Sequence, residues 1–302
     1  MFTTKEYITS KKEEPLENCQ DAYAINHDLS RYAIADGATR EFFSAKLAKE
    51  LVKRFCFDID KTNRDIFINN DYEEWLEPIQ KNWLSFVKNI MTGKVNFVVK
   101  NRFNRKDSGA STFVGLEVDR DKNRFKAMII GDSCLFHIRD NKILKVYLIE
   151  DDREFDNSPD FFFSRNIKDM LIARKFTEPT IIDEVFEEGD YFLLATDAIS
   201  KYLLKQKRLG RWEELWGNLE KEDKNWYQNF IENKRTDKDD ILDDDDVAIV
   251  IISTDIEDEK TVELIKDEVE DKKMIKTKVE LTLFIMYKNE EIEKEIKIDL
   301  KQ

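Results

Sequence analysis

The chain has 302 residues, 41% hydrophobic and 38% charged, with 64 acidic against 50 basic side chains and a formal net charge of -14. That balance is too apolar for a disordered chain and too charged for a membrane bundle, and no run of about 18 uncharged apolar residues exists to form a spanning helix. A surplus of carboxylates, with no basic stripe interleaved with aromatics, excludes nucleic acid as a partner.

The opening segment MFTTKEYITSKKEEP lacks the apolar run of a signal peptide, so a soluble, cytoplasmic protein with no membrane partner is expected. Short apolar runs at Ala22 to Asn26 and Tyr32 to Ala35, separated by a polar turn, predict a hairpin. Beyond Gly37, Leu47, Ala48, Leu51, Val52 and Phe55 recur at helical spacing, as do Tyr72, Trp75, Leu76, Ile79, Trp83, Val87 and Ile90. Two amphipathic helices follow the hairpin. Strands resume at Thr112 to Val118, Phe125 to Ile130, Cys134 to Arg139 and Ile143 to Leu148, which reads as an antiparallel meander. Tyr191 to Thr196 and Val247 to Ile252 are apolar throughout, with a long helical stretch carrying Trp212, Trp216, Trp226 and Phe230 between them. Those aromatics fit a core better than a ligand cage. The order strands, helices, strands, helices, strand predicts an α+β layered architecture.

After Ser253 the composition turns charge-rich, then Val279, Leu281, Leu283, Ile285 and Tyr287 alternate with polar neighbours. This divides the chain into residues 1–253 and a 254–302 extension, expected to be a helix plus a terminal hairpin.

Aspartates cluster at strand ends: Asp21 in NCQDAYAI, Asp36 in YAIADGA, Asp132 in MIIGDSC, Asp197 in FLLATDA, and the run Asp243 to Asp246 before VAIVII. Carboxylates mounted on rigid strand ends converge with little entropy left to lose, and they supply the hard oxygen ligands that magnesium and manganese take. The chain's histidines, His27 in a turn and His137 in a strand, and the three cysteines, Cys19, Cys56 and Cys134, offer no zinc spacing. No CxxxxxR loop is present, and Ser108 and Ser111 have no matching histidine and acid, so nucleophilic phosphatase and serine hydrolase chemistries are set aside.

The series CQDA, ADGA, GAST, GDS, LLATDA and DDVAIVII, in that order over about residues 8 to 253, resembles the metal-dependent serine/threonine protein phosphatases of type 2C, above all a bacterial branch whose first motif reads CQDA. The resemblance implies a four-layer α/β/β/α sandwich with two packed antiparallel sheets flanked by helices. It implies a pair of Mn2+ or Mg2+ ions, with Asp36 bridging both and acting as the central catalytic ligand, the Gly37 carbonyl on one of them, and Asp21, Asp197 and Asp245 completing the sites. Asp243 and Asp244 are the alternatives to Asp245, and Asp132 matches the acid that helps hold a third, weaker ion in that family.

The implied reaction is hydrolysis of phosphoserine or phosphothreonine in proteins by metal-activated water, opposing a serine/threonine kinase. The sequence departs from the family in four places. Gln20 precedes the first aspartate where many members have glutamate, and Ala38 stands where the best-known members place a general-acid histidine. Ala198 replaces a frequent glycine, which implies a turn without positive φ. The phosphate-binding arginine upstream of the first acids is missing, leaving Lys11, Lys12 and Arg40 as substitutes. The competing reading is a degenerate, non-catalytic fold that binds a phosphoprotein through the Trp212 to Phe230 stretch or the terminal hairpin. The retained aspartates argue against it, because clustered like charges are costly to keep without a use.

Overall fold

The computed structural model describes residues 2–58, 66–67, 72–155, 159–170 and 177–255. The expected C-terminal helix and hairpin lie outside the described residues.

Two five-stranded antiparallel sheets organise the fold. The first has the order β1 (Thr3–Thr9), β12 (Val247–Ser253), β11 (Tyr191–Ala195), β7 (Cys134–Arg139) and β8 (Lys142–Tyr147). The second runs β10 (Thr180–Val185), β6 (Arg124–Ile130), β5 (Phe113–Asp119), β3 (Arg31–Ala35) and β2 (Ala22–Asn26). A small ribbon joins β4 (Ala110–Ser111) to β9 (Phe162–Phe163).

The layering follows from which faces are apolar. Tyr32 and Ile34 of β3, Leu135 of β7, Phe192 and Leu194 of β11, and Val250 and Ile252 of β12 pack between the sheets. The alternate residues of the same strands turn outward onto helices. Ala33 and Ala35 meet α1 (Ser44–Phe57) and α2 (Tyr72–Met91). Leu193, Ile249 and Ile251 meet α4 (Asp197–Arg208), α5 (Trp212–Lys221) and α6 (Lys224–Thr236). Because both faces of the central strands are covered, β11 and β12 read as unbroken apolar runs, the pattern otherwise typical of buried parallel sheets. This is the four-layer α/β/β/α sandwich expected from the sequence. Trp75 and Trp216 are fully buried on the two outer faces, and replacing either by alanine costs about 3 to 5 kcal/mol through lost burial and a residual cavity.

Three details differ from the sequence reading. The meander is divided, because β5 and β6 pair in one sheet while β7 and β8 pair in the other. The chain changes sheets at Gly131-Asp132-Ser133, where Gly131 has φ +93 and a Cβ would stand 2.5 Å from Thr112 Cγ2. The long helical stretch is three helices, α4 to α6, and its Trp212 and Trp216 are buried core, which removes them as a contact surface for a partner. Finally, β1, β10 and α3 (Phe97–Asn104) are additional elements. No helix among the described residues is long and apolar enough to cross a membrane.

Candidate metal centre

Asp36 ends β3 and is fixed by its backbone. Its carbonyl accepts from Thr112 N at 2.9 Å and from Ser111 Oγ at 2.8 Å, while its own N–H donates to Thr112 Oγ1 at 3.3 Å. Gly37 then bridges Ser111 across a short antiparallel contact. The glycine is required by crowding, since a Cβ there would lie 2.8 to 2.9 Å from Ser44 C, Ala45 N and Gln20 O. The start of α1 is thereby pressed against the aspartate.

Asp21 sits immediately before β2 and is buried. Thr196 Oγ1 donates to Asp21 Oδ2 at 2.8 Å and accepts from Ala248 N at 2.9 Å, tying this carboxyl to the end of β11 and to β12. Asp197 opens α4, where its Oδ1 accepts from Ala198 N at 2.6 Å. Ala198 lies in the helix with no positive φ, as its presence in place of glycine implied. Asp132 is buried in the crossing between sheets.

These acids converge. Single carboxylate oxygens of Asp36, Asp132 and Asp197 all lie within 4.8 Å of one another. Burial, then the charges of Asp21, Asp197 and Asp132, push the Asp36 carboxyl well above the usual range. Burial followed by Asp197 does the same to Asp21, which also shares a hydrogen bond with Asp36. Burial and then Asp245 raise Asp197 to about 6. Asp36 is thus the acid that feels the other three of the cluster, in which Asp21 and Asp132 are buried and Asp36 and Asp197 half-buried.

The acidic run before β12 separates into four roles. Asp243 Oδ2 pairs with Lys201 at 2.7 Å, and Asp244 Oδ1 accepts from Lys12 N at 2.9 Å. Asp246 is buried and caps backbone, accepting from Lys11 N and Gln20 N, each at 2.8 Å. Asp245 Oδ1 meets Lys11 Nζ at 2.9 Å and accepts from Asp246 N at 2.8 Å, and Asp245 is the neighbour whose charge acts most strongly on Asp197. The buried Arg235 of α6 holds this corner together, donating to the Ser10 carbonyl at 2.9 Å and to the Asp245 carbonyl.

Of the cationic candidates, Lys11 comes to the cluster. Its Nζ also donates to Thr39 Oγ1 at 3.1 Å, and although burial opposes its charge, Asp245, Asp246 and Asp36 raise its pKa. Lys12 contributes a backbone N–H to Asp244 and Arg40 is exposed. His27 and His137 stand apart, the latter buried with Nε2 2.6 Å from Asp190 Oδ2. All three cysteines are free and buried. Thr196 and Arg235 are positioning groups that the sequence reading did not single out, and Ser111, considered there only as a nucleophile, is a third. Their side-chain roles depend on partners 175, 75 and 225 residues away for the named contacts to Asp21, Asp36 and Ser10.

The donor set suits a hard divalent cation. It is all oxygen, rigidly mounted, and set mostly against itself, so a cation of higher charge is the natural counter-ion.

The protein phosphatase 2C family model matches residues 13–232. Among solved structures, the chain is similar to a bacterial serine phosphatase at 14% identity and TM-score 0.52, covering 85% of this chain and 100% of that one. It is also similar to PppA, described as a key regulatory component of T6SS in Pseudomonas aeruginosa, at 13% identity and TM-score 0.51, covering 83% and 97%. The photosystem II phosphatase PBCP matches at 12% identity and TM-score 0.50, covering 84% and 98%. At these identities the structural likeness speaks for the fold. Comparison with curated protein sequences gives no significant match.

Proposed function

The chain belongs to the protein phosphatase 2C family of metal-dependent serine/threonine protein phosphatases, and we propose that Asp36, Asp21, Asp197 and Asp245, with the Gly37 carbonyl, hold a pair of Mn2+ or Mg2+ ions for that reaction. The observation that carries this is geometric: carboxylate oxygens of Asp36, Asp132 and Asp197 lie within 4.8 Å of one another, with the Asp21 carboxyl held beside them by Thr196. A fold that keeps such a group needs an external cation to complete it.

Asp36 would be the central ligand, because its carboxyl interacts with Asp21, Asp197 and Asp132 alike. Asp245 would be the last ligand, since its charge acts on Asp197 more strongly than that of Asp243, while Asp244 and Asp246 accept from backbone N–H groups of Lys12, Lys11 and Gln20. Asp132 adds a weaker outer position. Divalent ions held there supply a water activated near neutral pH and neutralise the phosphoryl oxygens of a phosphomonoester.

The protein's own contribution is orientation. Thr196 fixes the Asp21 carboxyl and Gly37 lets α1 approach the aspartate. Arg235 and Asp246 hold the loop that presents Lys11 beside Asp245. Lys11 is the phosphate-binding cation in this reading, in place of the family's upstream arginine. Its ammonium, now paired with Asp245, would turn to a phosphate oxygen, and Asp245 would then be one of the residues able to hold a divalent ion.

Hydrolysis of a phosphothreonine peptide with manganese, with magnesium and with chelator tests the proposal. Turnover that requires a divalent ion supports it. Binding of the phosphopeptide without turnover under any of these ions, by protein shown to be folded, would favour the non-catalytic reading instead.

A further inference from the structure

On a chain of net charge -14, one region beside the metal centre carries an excess of positive charge among the described residues. Arg102 Nε and Arg105 Nη2 both reach Asp107 Oδ2 at 2.9 Å, so one carboxylate serves two guanidinium groups. Arg165 Nε donates to the Asp107 carbonyl at 3.1 Å, and its guanidinium lies over the rings of Trp83 (5.4 Å) and Phe103 (5.8 Å). Among the described residues no carboxylate pairs with it. Arg102 lies over Phe42 at 5.1 Å and donates through Nη2 to the Arg40 carbonyl at 3.0 Å. Arg40 and Lys106 are exposed at the edge of this group. Glu41, Asp169 and Glu73, which lines a cavity together with Arg165, are other described acids close by, and the five cations still outnumber the acids. Partial desolvation lowers the Arg165 pKa, against the attraction of Asp169 and Asp107.

The group is joined to the metal centre by backbone. Ala38 N donates to Ala110 O at 3.0 Å and Phe42 N to Ser108 O at 2.9 Å, so residues 38–42 run alongside 108–110 from the Gly37 bridge outward. Arg40, three residues beyond Gly37, is at most about 11 Å from it along the chain. Beyond Asp132 the surface has the opposite sign. A cavity of about 260 Å³ there is lined by Asp132, Glu154, Asp160 and Glu178 among others.

We propose that Arg40, Arg102, Arg105, Lys106 and Arg165 form the docking surface for an acidic segment of the phosphoprotein substrate, flanking the phosphoresidue undergoing hydrolysis. Arg102 and Arg165 are backed by aromatic rings, Arg105 shares Asp107 with Arg102, and Arg40 and Lys106 are exposed beside them; guanidinium groups take carboxylates or a further phosphate in two-pronged fashion. The acid-lined cavity repels the same segment, which fixes the direction in which the substrate crosses the site. This rests on the phosphatase reading above.

The test uses the full chain with manganese and phosphothreonine peptides that differ only in their flanks: alanine, aspartate, or a second phosphothreonine. Acidic flanks should raise kcat/KM about tenfold, mainly through KM, and the preference should shrink at high salt. In Arg105→Gln/Lys106→Gln it should fall to about threefold or less, with p-nitrophenyl phosphate hydrolysis unchanged. Comparison of the aspartate and bis-phosphorylated peptides separates carboxylate from phosphate recognition. Equal rates for all flanks, or a preference untouched in the double variant, would overturn the docking surface. If p-nitrophenyl phosphate is not hydrolysed by the wild type, the phosphatase reading fails. Anisotropy of a labelled acidic peptide then still decides the docking, by tighter binding than the alanine peptide or by equal binding.

Discussion

Asp190 and Asp240 are met by donors from their own chain, whereas the carboxyls of Asp21, Asp36 and Asp197 are set largely against one another. Asp190 is fully buried, yet Arg139 Nε reaches its Oδ1 at 2.6 Å, while Arg139 Nη2, Glu187 N and His137 Nε2 lie 2.6 to 2.8 Å from its Oδ2. Burial pushes this carboxyl upward, but those partners outweigh it and leave its pKa below the usual range. Asp240 is treated alike, with Gln206, Tyr202, Lys205 and Lys234 overcoming its burial. At the candidate metal centre, burial and like charge push in one direction. The difference teaches that this sequence can neutralise a buried aspartate internally, and that at one end of the sandwich it does not. Charges of that kind are kept where something from outside completes them.

The sharpest way to break this comparison is to neutralise one acid of each group. Asp36→Asn should lower phosphomonoester hydrolysis on the order of 10³-fold or more while leaving urea stability equal or higher, because it removes an uncompensated charge. Asp190→Asn should leave the rate per folded molecule unchanged and destabilise the fold by about 2 to 3 kcal/mol, since buried His137 and half-buried Arg139 lose their charged partner. Equal destabilisation by both would remove the distinction.

Within the acidic run, Asp245→Asn should cost roughly 10- to 100-fold in activity. Asp246→Asn, which weakens acceptors for Lys11 N and Gln20 N, should show itself first as a loss of about 1 to 2 kcal/mol in stability. Initial rates and urea midpoints on the two variants separate the roles. Lys11→Ala should raise KM for a phosphopeptide about tenfold with a smaller change in kcat, measured over a range of substrate concentrations.

The smallest effect is on pH dependence without metal. Asp197 rises to about 6 in the fold, above an unfolded value of about 3.9. The folded state therefore holds protons that the unfolded state has released, and metal-free protein should lose stability as pH rises from about 4 through 6. The depressed acids Asp190 and Asp240 stay ionised across that window and add no slope in it, their contribution being lost only below about pH 4. Scanning calorimetry should give a higher Tm at pH 5 than at pH 7.5 in chelator. Manganese at about 100 times its Kd should reverse the order by adding about 2.7 kcal/mol at the higher pH.

Much of this was legible in the sequence because the informative strands are central. β11 and β12 are buried on both faces, so their apolar runs stand out. β1 and β10 lie at sheet edges, where Lys5, Glu6, Asp183 and Glu184 dilute the pattern. The change of sheet at Gly131 could not be told from a hairpin, as both need a tight turn with polar residues. The acids themselves could be picked out from their strand-end positions and motif order. What separates Asp245 from Asp246 is a loop geometry that brings one carboxylate to Lys11 Nζ as well as to the next backbone N–H, and buries the other against the N–H groups of Lys11 and Gln20, and adjacent identical residues carry no local mark of that. Thr196 went unnoticed for a related reason, since its hydroxyl matters only through Asp21.

The most direct test of the central claim is calorimetric titration of Mn2+ into metal-free wild type and Asp36→Asn at neutral pH, with folding checked in parallel. The account predicts saturable binding of a pair of ions by the wild type and loss of that binding in the folded variant. Absence of binding by the wild type, or undiminished binding by the variant, would contradict it.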